Sequence, residues 1–168
     1  MMTWHQFAVA APELASAGAE RFERTGLALV GSLRKDGWPR ISPVEPYIVQ
    51  GELMLGMLCR SRKARDLLRD PRLVVHSTTC DREGAEGDFK LYGRAVDVTD
   101  PRARQRYGDA VEAKIHWRPT DPFHLFSVDI KSAAFVVFGT ERYGMRWSPS
   151  RGLERWAIPD SSPASSPP

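Results

Sequence analysis

Cysteine is nearly absent from this chain of 168 residues, where Cys59 and Cys80 are the only two. Two thiols so far apart make neither a disulfide framework nor the ligand spacing of a zinc site. Long hydrophobic runs are missing as well, and no apolar stretch approaches the ~20 residues that cross a bilayer. Residues 1–11 hold no basic segment followed by a sustained apolar one, so no secretory leader is predicted. Charge of one sign is not in excess: 24 Lys and Arg against 21 Asp and Glu leave +3. That is too little to mark the whole molecule as a polyanion binder, and no nucleic-acid partner is expected. There is no glycine-rich strand-to-helix fingerprint and no regular β-α-β-α alternation, which argues against a doubly wound dinucleotide-binding fold. No nucleophile or acid–base pair stands out, so no catalytic side chain and no metal site are assigned. What is left is the expectation of a cytoplasmic, reduced protein large enough for a real core.

The most informative segment that is present runs Cys59-Arg60-Ser61-Arg62-Lys63-Ala64-Arg65-Asp66-Leu67-Leu68-Arg69-Asp70-Pro71. It follows the apolar run 53–58 and reads as strand, turn, then helix. Ser61 stands where an N-cap belongs, Ala64, Leu67 and Leu68 form one apolar face, and Pro71 stops the helix. Arg60, Arg62 and Lys63 then crowd the first turn, where the helix dipole disfavours cations. Free N–H groups, a serine hydroxyl and several cations together have the chemistry of a phosphate site. The plain alternative is a solvated basic helix.

Elsewhere the pattern is of β segments with a few helices. A helix is predicted over 12–24, with Leu14, Ala17, Gly18 and Phe22 inward and Gly26 ending it. Strands are predicted over 27–33, 39–44, 52–58, 73–78 and 88–98, with a hairpin turn at Asp36-Gly37. Pro39 and Pro43 put the second of these at an edge or a bulge. Asp100 and Pro101 open a second helix to about residue 115. Arg102, Arg104 and Arg106 on it read as an exposed face rather than a nucleic-acid patch. Residues 123–129 and 133–138 read as two strands joined by a polar turn at Ile130-Lys131-Ser132. Tyr143, Trp147 and Trp156 follow among Gly, Pro and Ser. A single domain is expected over 1–157, with a disordered Pro- and Ser-rich tail over 158–168. About seven short, hairpin-linked strands interrupted by helices predict a mainly β, α+β architecture, an antiparallel barrel with flanking helices.

Taken in order, Asp36-Gly37-Trp38-Pro39-Arg40-Ile41-Ser42-Pro43-Val44 and Ser61-Arg62-Lys63-Ala64, with Leu67 and Asp70-Pro71, resemble the pyridoxamine 5'-phosphate oxidase-like superfamily. Those proteins are flavin-binding split β-barrels. The segment Phe89-Lys90-Leu91-Tyr92-Gly93-Arg94-Ala95 is similar to the family strand that follows the cofactor loop. The resemblance implies flavin mononucleotide (FMN) held between the two subunits of a homodimer. It implies that Arg62 and Lys63 hold the cofactor phosphate, with Arg60 and Ser61 on the same helix-initiating loop and Arg40 reaching in from the preceding strand. The backbone of Ile41, Ser42 and Pro43 would line the isoalloxazine ring, Gly56 and Met57 would touch it mainly through backbone, and Asp88 would lie near it. Trp147 is placed either at a flavin edge or at the surface or dimer interface.

The departures narrow the expectation. Glu45 stands where the oxidases have a lysine for the substrate phosphate, and their C-terminal arginine-leucine-histidine motif has no counterpart. Vitamin B6 oxidation is therefore not expected. The function implied is a flavin-dependent oxidoreductase on an unidentified small molecule, with the flavin doing the hydride or electron transfer. Two alternatives share the fold. One is a deazaflavin-dependent reductase, whose longer acidic coenzyme Arg60 and Arg65 would serve. The other is a non-catalytic flavin- or haem-binding barrel, with His76 or His124 as an axial ligand. Without haem, His76 reads as a hydrogen-bonded core residue, while His116 and His124 flank a loop that either covers a site or is merely exposed. Asp81, Glu83 and Glu86 form with Asp88 a solvated acidic loop that fits no calcium pattern. Arg62→Ala combined with Lys63→Ala is expected to abolish flavin retention through purification while far-UV circular dichroism stays unchanged. Wild-type affinity in that double variant would remove the phosphate site.

Overall fold

The structure is a computed structural model and describes residues 1–159. Thr3 and Gln6 form a reciprocal capping box that starts α1, Trp4–Ala10. This helix was not expected from the sequence, because seven residues are too few for periodicity to show. Pro12 at the first position opens α2, Pro12–Thr25, and Gly26 closes it at φ 66°. Asp36 and Gly37 turn β1 (Ala28–Leu33) into β2 (Pro39–Val44), with Leu33 opposite Pro39. A second hairpin joins β3 (Pro46–Val49), a strand the sequence reading lacked, to β4 (Glu52–Leu58) through the turn that Gln50-Gly51 signals. Its turn residues Gln50 and Gly51 both take positive φ, the geometry that a two-residue hairpin loop requires. Then come α3 (Arg62–Arg69), β5 (Arg72–Ser77), β6 (Asp88–Asp97), α4 (Pro101–Ile115), β7 (Phe123–Phe138), β8 (Arg142–Ser148) and β9 (Gly152–Ala157).

Among the described residues these nine strands form one antiparallel sheet in the order β2-β1-β5-β6-β7-β4-β3, with β8 on β7 and β9 on β8. The sheet curls without closing, which makes the α+β fold a split barrel. β7 is what splits it. Residues 123–127 of β7 pair with β4, residues 133–138 pair with β8, and β6 runs along both halves.

The expected turn at Ile130-Lys131-Ser132 is therefore a correction: β7 is one continuous strand. Its register on β6 slips between Tyr92 opposite Ser132 and Gly93 opposite Ile130, so Lys131 is the extra residue of a bulge. Ile130 is fully buried and Lys131 sits outside, 2.9 Å from Asp129, so the polar triplet is a local kink rather than a reversal. The segment after β7, for which the sequence reading named no element, is the β8–β9 hairpin. Ile158, assigned to the tail, donates its N–H to the Arg142 carbonyl at 2.9 Å; residues 160–168 of that expected tail lie outside the described residues.

Helices α1 and α2 bring Phe7, Leu14 and Phe22 into one core with Leu55, Phe89 and Phe126 of the sheet. A smaller cluster, with Tyr47, Met54, Tyr107 and Leu125, lies where α4 covers β3 and β4. No helix among the described residues is long and apolar enough to cross a membrane. Gly18 of α2 sets the approach of that helix, because a Cβ there would stand 2.6 Å from the Phe89 ring. Alanine in a helix interior normally gains up to ~1 kcal/mol over glycine, but overpacking a filled core costs about 1–3 kcal/mol. Gly18→Ala is expected to lower the urea midpoint, by a net ~1 kcal/mol; a raised midpoint would show that Phe89 yields freely.

Candidate functional site

β4 delivers the chain to the start of α3. Past Leu58 the backbone reverses: Ser61 N–H donates to the Leu58 carbonyl at 3.1 Å and Arg60 takes φ 64°. That left-handed conformation is uncommon for a residue with a side chain, and Arg65 braces it by donating to the Arg60 carbonyl at 3.0 Å. Ser61 Oγ accepts from Ala64 N–H at 3.3 Å, the expected N-cap. Ala64 and Leu67 face the core, but Leu68, expected beside them, is 49 % exposed. A short helix on a sheet buries a narrow stripe, and Leu68 falls ~100° round from Leu67.

Cations gather at this helix start with no acid in its first turn. Arg60 and Arg62 are exposed, and neither side chain has a hydrogen bond or ion pair among the described residues. Lys63 Nζ donates to the Pro43 carbonyl at 2.9 Å, and burial pulls its pKa below the ordinary lysine value. Arg40 reaches over from β2 and donates Nε to Asp66 Oδ2 at 2.6 Å. Asp66 was not singled out in the sequence, yet it is buried and also accepts from Arg69 at 3.1 Å through Oδ1. Arg69 in turn donates to the Leu33 carbonyl, which ties α3 to the β1–β2 hairpin. Burial alone would raise the Asp66 pKa; the hydrogen bonds from the two arginines outweigh it and hold the carboxyl below its usual range. Ser32, opposite Arg40 in the β1–β2 ladder, is buried with an Oγ that has no partner among the described residues.

The free edge of β2 adds backbone groups to this cluster. In an antiparallel ladder both polar groups of a residue point to one side, and the side alternates along the strand. Pro43 sends its carbonyl away from β1 to Lys63, so Ile41, two residues earlier, presents its N–H and C=O at the same edge. Pro39 and Pro43 have no N–H, which leaves Ile41 as the one donor of the three. The Ile41 side chain is 72 % exposed. With Gly31, Val74 and Tyr92 it borders an apolar trough of about 340 Å³ on the outer sheet face. A single donor, neighbouring carbonyls and an apolar trough suit a flat heteroaromatic ring, and the adjoining cations suit a phosphate.

The predicted residues are not all brought together. Arg40, Ser42, Pro43, Ser61, Arg62 and Lys63 belong to β2 and the start of α3, with Ser42 on the same side of β2 as Arg40. Gly56 is packed so tightly on Tyr107 that a Cβ would meet its hydroxyl at 2.2 Å. The side chain of Met57 is buried in the core, so only its backbone is available. Trp147 is a correction: at 3 % exposure it packs on Phe7, with ring centroids 5.1 Å apart, and lies neither at a surface nor at an open edge. Alternation along β8 sends Trp147 inward with Met145, and the exposed tryptophan of the hairpin is Trp156. Asp88 lies on β6, separated from β2 by β1 and β5, three strand spacings or ~14 Å across the sheet. There its Oδ1 is 3.0 Å from Lys90 Nζ and 3.8 Å from His76 Nε2. The acidic loop before it is organised by Asp81, which accepts from the N–H groups of Glu83 and Glu86. Arg118 fixes the loop after His116 to α4 through Asp109 and Glu112. No group of three or more His, Cys, Asp or Glu among the described residues is arranged to hold a metal ion.

No family profile and no curated protein matches the chain. Solved structures do. An FMN-binding protein related to pyridoxamine 5'-phosphate oxidase from Nostoc punctiforme superposes with a TM-score of 0.63 over 89 % of this chain and 96 % of its own, at 15 % identity. A general stress protein 26-related member of the pyridoxinephosphate oxidase family from Clostridium acetobutylicum gives 0.62 over 82 % and 94 %, at 13 % identity. A haem-binding protein from Mycobacterium smegmatis gives 0.59 at 19 % identity, over 84 % of this chain but 57 % of its own. At such identities the likeness is one of fold, and the fold is that of the pyridoxamine 5'-phosphate oxidase-like split barrels.

The Asp66 cluster makes the acid limb of stability testable. A carboxyl whose folded pKa is depressed contributes fully above its unfolded value of 3.8 and loses that contribution as pH falls through the folded value. Urea unfolding of the wild type is expected to weaken from about pH 5 to about pH 2.5, and Asp66→Asn should show a smaller drop over that interval. Equal drops would mean that the two arginines do not hold the carboxylate.

Proposed function

We propose that the chain, as a single domain over residues 1–157, is an FMN-binding oxidoreductase acting on a small molecule. The observation that carries this is the meeting of Arg62 and Arg60, unpartnered among the described residues, with Lys63 and Arg40 at the N-terminus of α3. A phosphate monoester brings close to two negative charges and several acceptor oxygens. It would relieve cations that the helix dipole otherwise repels, and its charge would offset the desolvation that depresses Lys63. Arg62, Lys63 and the first N–H groups of α3 would hold the phosphate, while Arg40 closes it from β2. Ile41 N–H and the neighbouring carbonyls would orient the ring, and the trough beside Tyr92 would shield an apolar edge from water. When bound, the flavin supplies the hydride or electron transfer. Glu45, exposed and negative, offers nothing to a phosphorylated substrate and favours a neutral or cationic one.

We read the protein as a homodimer with the flavin between copies. Support comes from the separation of β2 from Asp88 across the sheet: if both are to meet one ring, as the resemblance implies, a second copy would supply one of them. Two measurements test this. The purified protein is expected to be yellow, to release a chromophore of FMN mass, and to elute at the size of two chains. A colourless protein that takes up only a deazaflavin coenzyme would replace FMN with that cofactor, and a Soret band would replace it with haem. A monomer that still holds FMN would remove the shared site.

A further inference from the structure

Arg40 does more than add a charge to the helix start. Its guanidinium is spent on Asp66 only through Nε, at 2.6 Å, and its two terminal nitrogens have no partner among the described residues. A guanidinium gripped at Nε keeps its terminal fork free, and that fork is the edge that takes a phosphate in bidentate fashion. Asp66 sits one helical turn below Arg62, and helical side chains lean towards the N-terminus, so the grip lies just beneath the first turn of α3. The carboxylate itself cannot swing: it is 5 % exposed and its other oxygen is held by Arg69 at 3.1 Å.

We propose that Asp66 is a positioning residue which fixes the Arg40 guanidinium so that its terminal nitrogens are preset for the phosphate of the bound cofactor. The inference rests on the flavin-phosphate site proposed above. Preorganisation matters here because an arginine side chain gives up rotamer entropy when it is ordered. With Asp66 in place, that ordering is complete before the ligand arrives. A negative residue among phosphate-binding cations would otherwise work against binding; pinned to Nε and Arg69, it neutralises the inner side and leaves the outer fork positive.

The test compares FMN with riboflavin, which has the same ring and no phosphate, by quenching of flavin fluorescence on the apo-protein. Asp66→Asn is expected to weaken FMN about tenfold, the usual size of coupling within one network, and to leave riboflavin unchanged. Arg69→Ala frees one oxygen of the carboxylate but leaves its bond to Arg40, so it should weaken FMN by clearly less than Asp66→Asn does. Arg40→Lys keeps the charge but has no fork, so it should cost as much as Asp66→Asn, and the two together should cost no more than either. This variant also serves if Asp66→Asn does not fold. Equal loss of FMN and riboflavin, equal loss in Arg69→Ala, or additive losses in the double variant would each make Asp66 a purely structural clamp and overturn the proposal. If Arg40→Lys and Asp66→Asn both bind like wild type while Arg62→Ala does not, the phosphate site stands and the positioning role falls. A wild-type protein that binds neither flavin overturns both.

Discussion

The 16-residue strand β7 is the constraint on which the architecture depends. A strand of ordinary length pairs with one neighbour on each side; β7 is long enough to change partners halfway on one side while keeping β6 on the other. Its first part belongs with β4 and the α4-covered cluster, and its second part with the β8–β9 hairpin. The bulge at Lys131 lets the two parts bend away from each other without breaking the ladder. Because β4 is fixed on the first part of β7, the turn that follows β4 is fixed too, and α3 starts where the sheet edge β2 can reach it.

The site that results is an electrostatic arrangement set inside a packing one. Ala64 and Leu67 anchor α3, and Asp66, between them in sequence, turns a buried position into a polar clamp. Burying a carboxylate is costly unless it is paired, and here two arginines from different elements satisfy it. The net effect is asymmetric. On the protein side the charges are matched through Asp66, Arg40, Arg69 and the Leu33 carbonyl. On the solvent side, among the described residues, Arg60 and Arg62 remain unmatched and Arg40 keeps its fork.

Much of this was legible in the sequence, and the pattern of what was not is physical. The N-cap of α3, the proline start of α4, the glycine end of α2 and the Asp36-Gly37 turn all depend on residues within four or five positions of each other. The short elements α1 and β3 escaped because seven and four residues do not establish a period. The turn expected at Ile130 to Ser132 was misread because polarity marks both reversals and bulges, and only the partner strand distinguishes them. Trp147 was drawn outward by its glycine- and proline-rich surroundings, whereas its burial depends on the alternation of β8 and on Phe7, 140 positions earlier.

The sequence by itself determined the cation-rich helix start, the exclusion of the two-proline strand from the sheet centre and the barrel class, because each follows from local backbone preference and side-chain type. Tertiary structure alone decided which charges are spent and which are free. Arg40 and Asp66 are 26 residues apart, and no local pattern links a strand arginine to an aspartate in the middle of a later helix. The pairing exists because the register of β2 on β1 and the packing of α3 on β1 place both groups in one small, poorly solvated space. There the cost of an unpaired charge selects the partner.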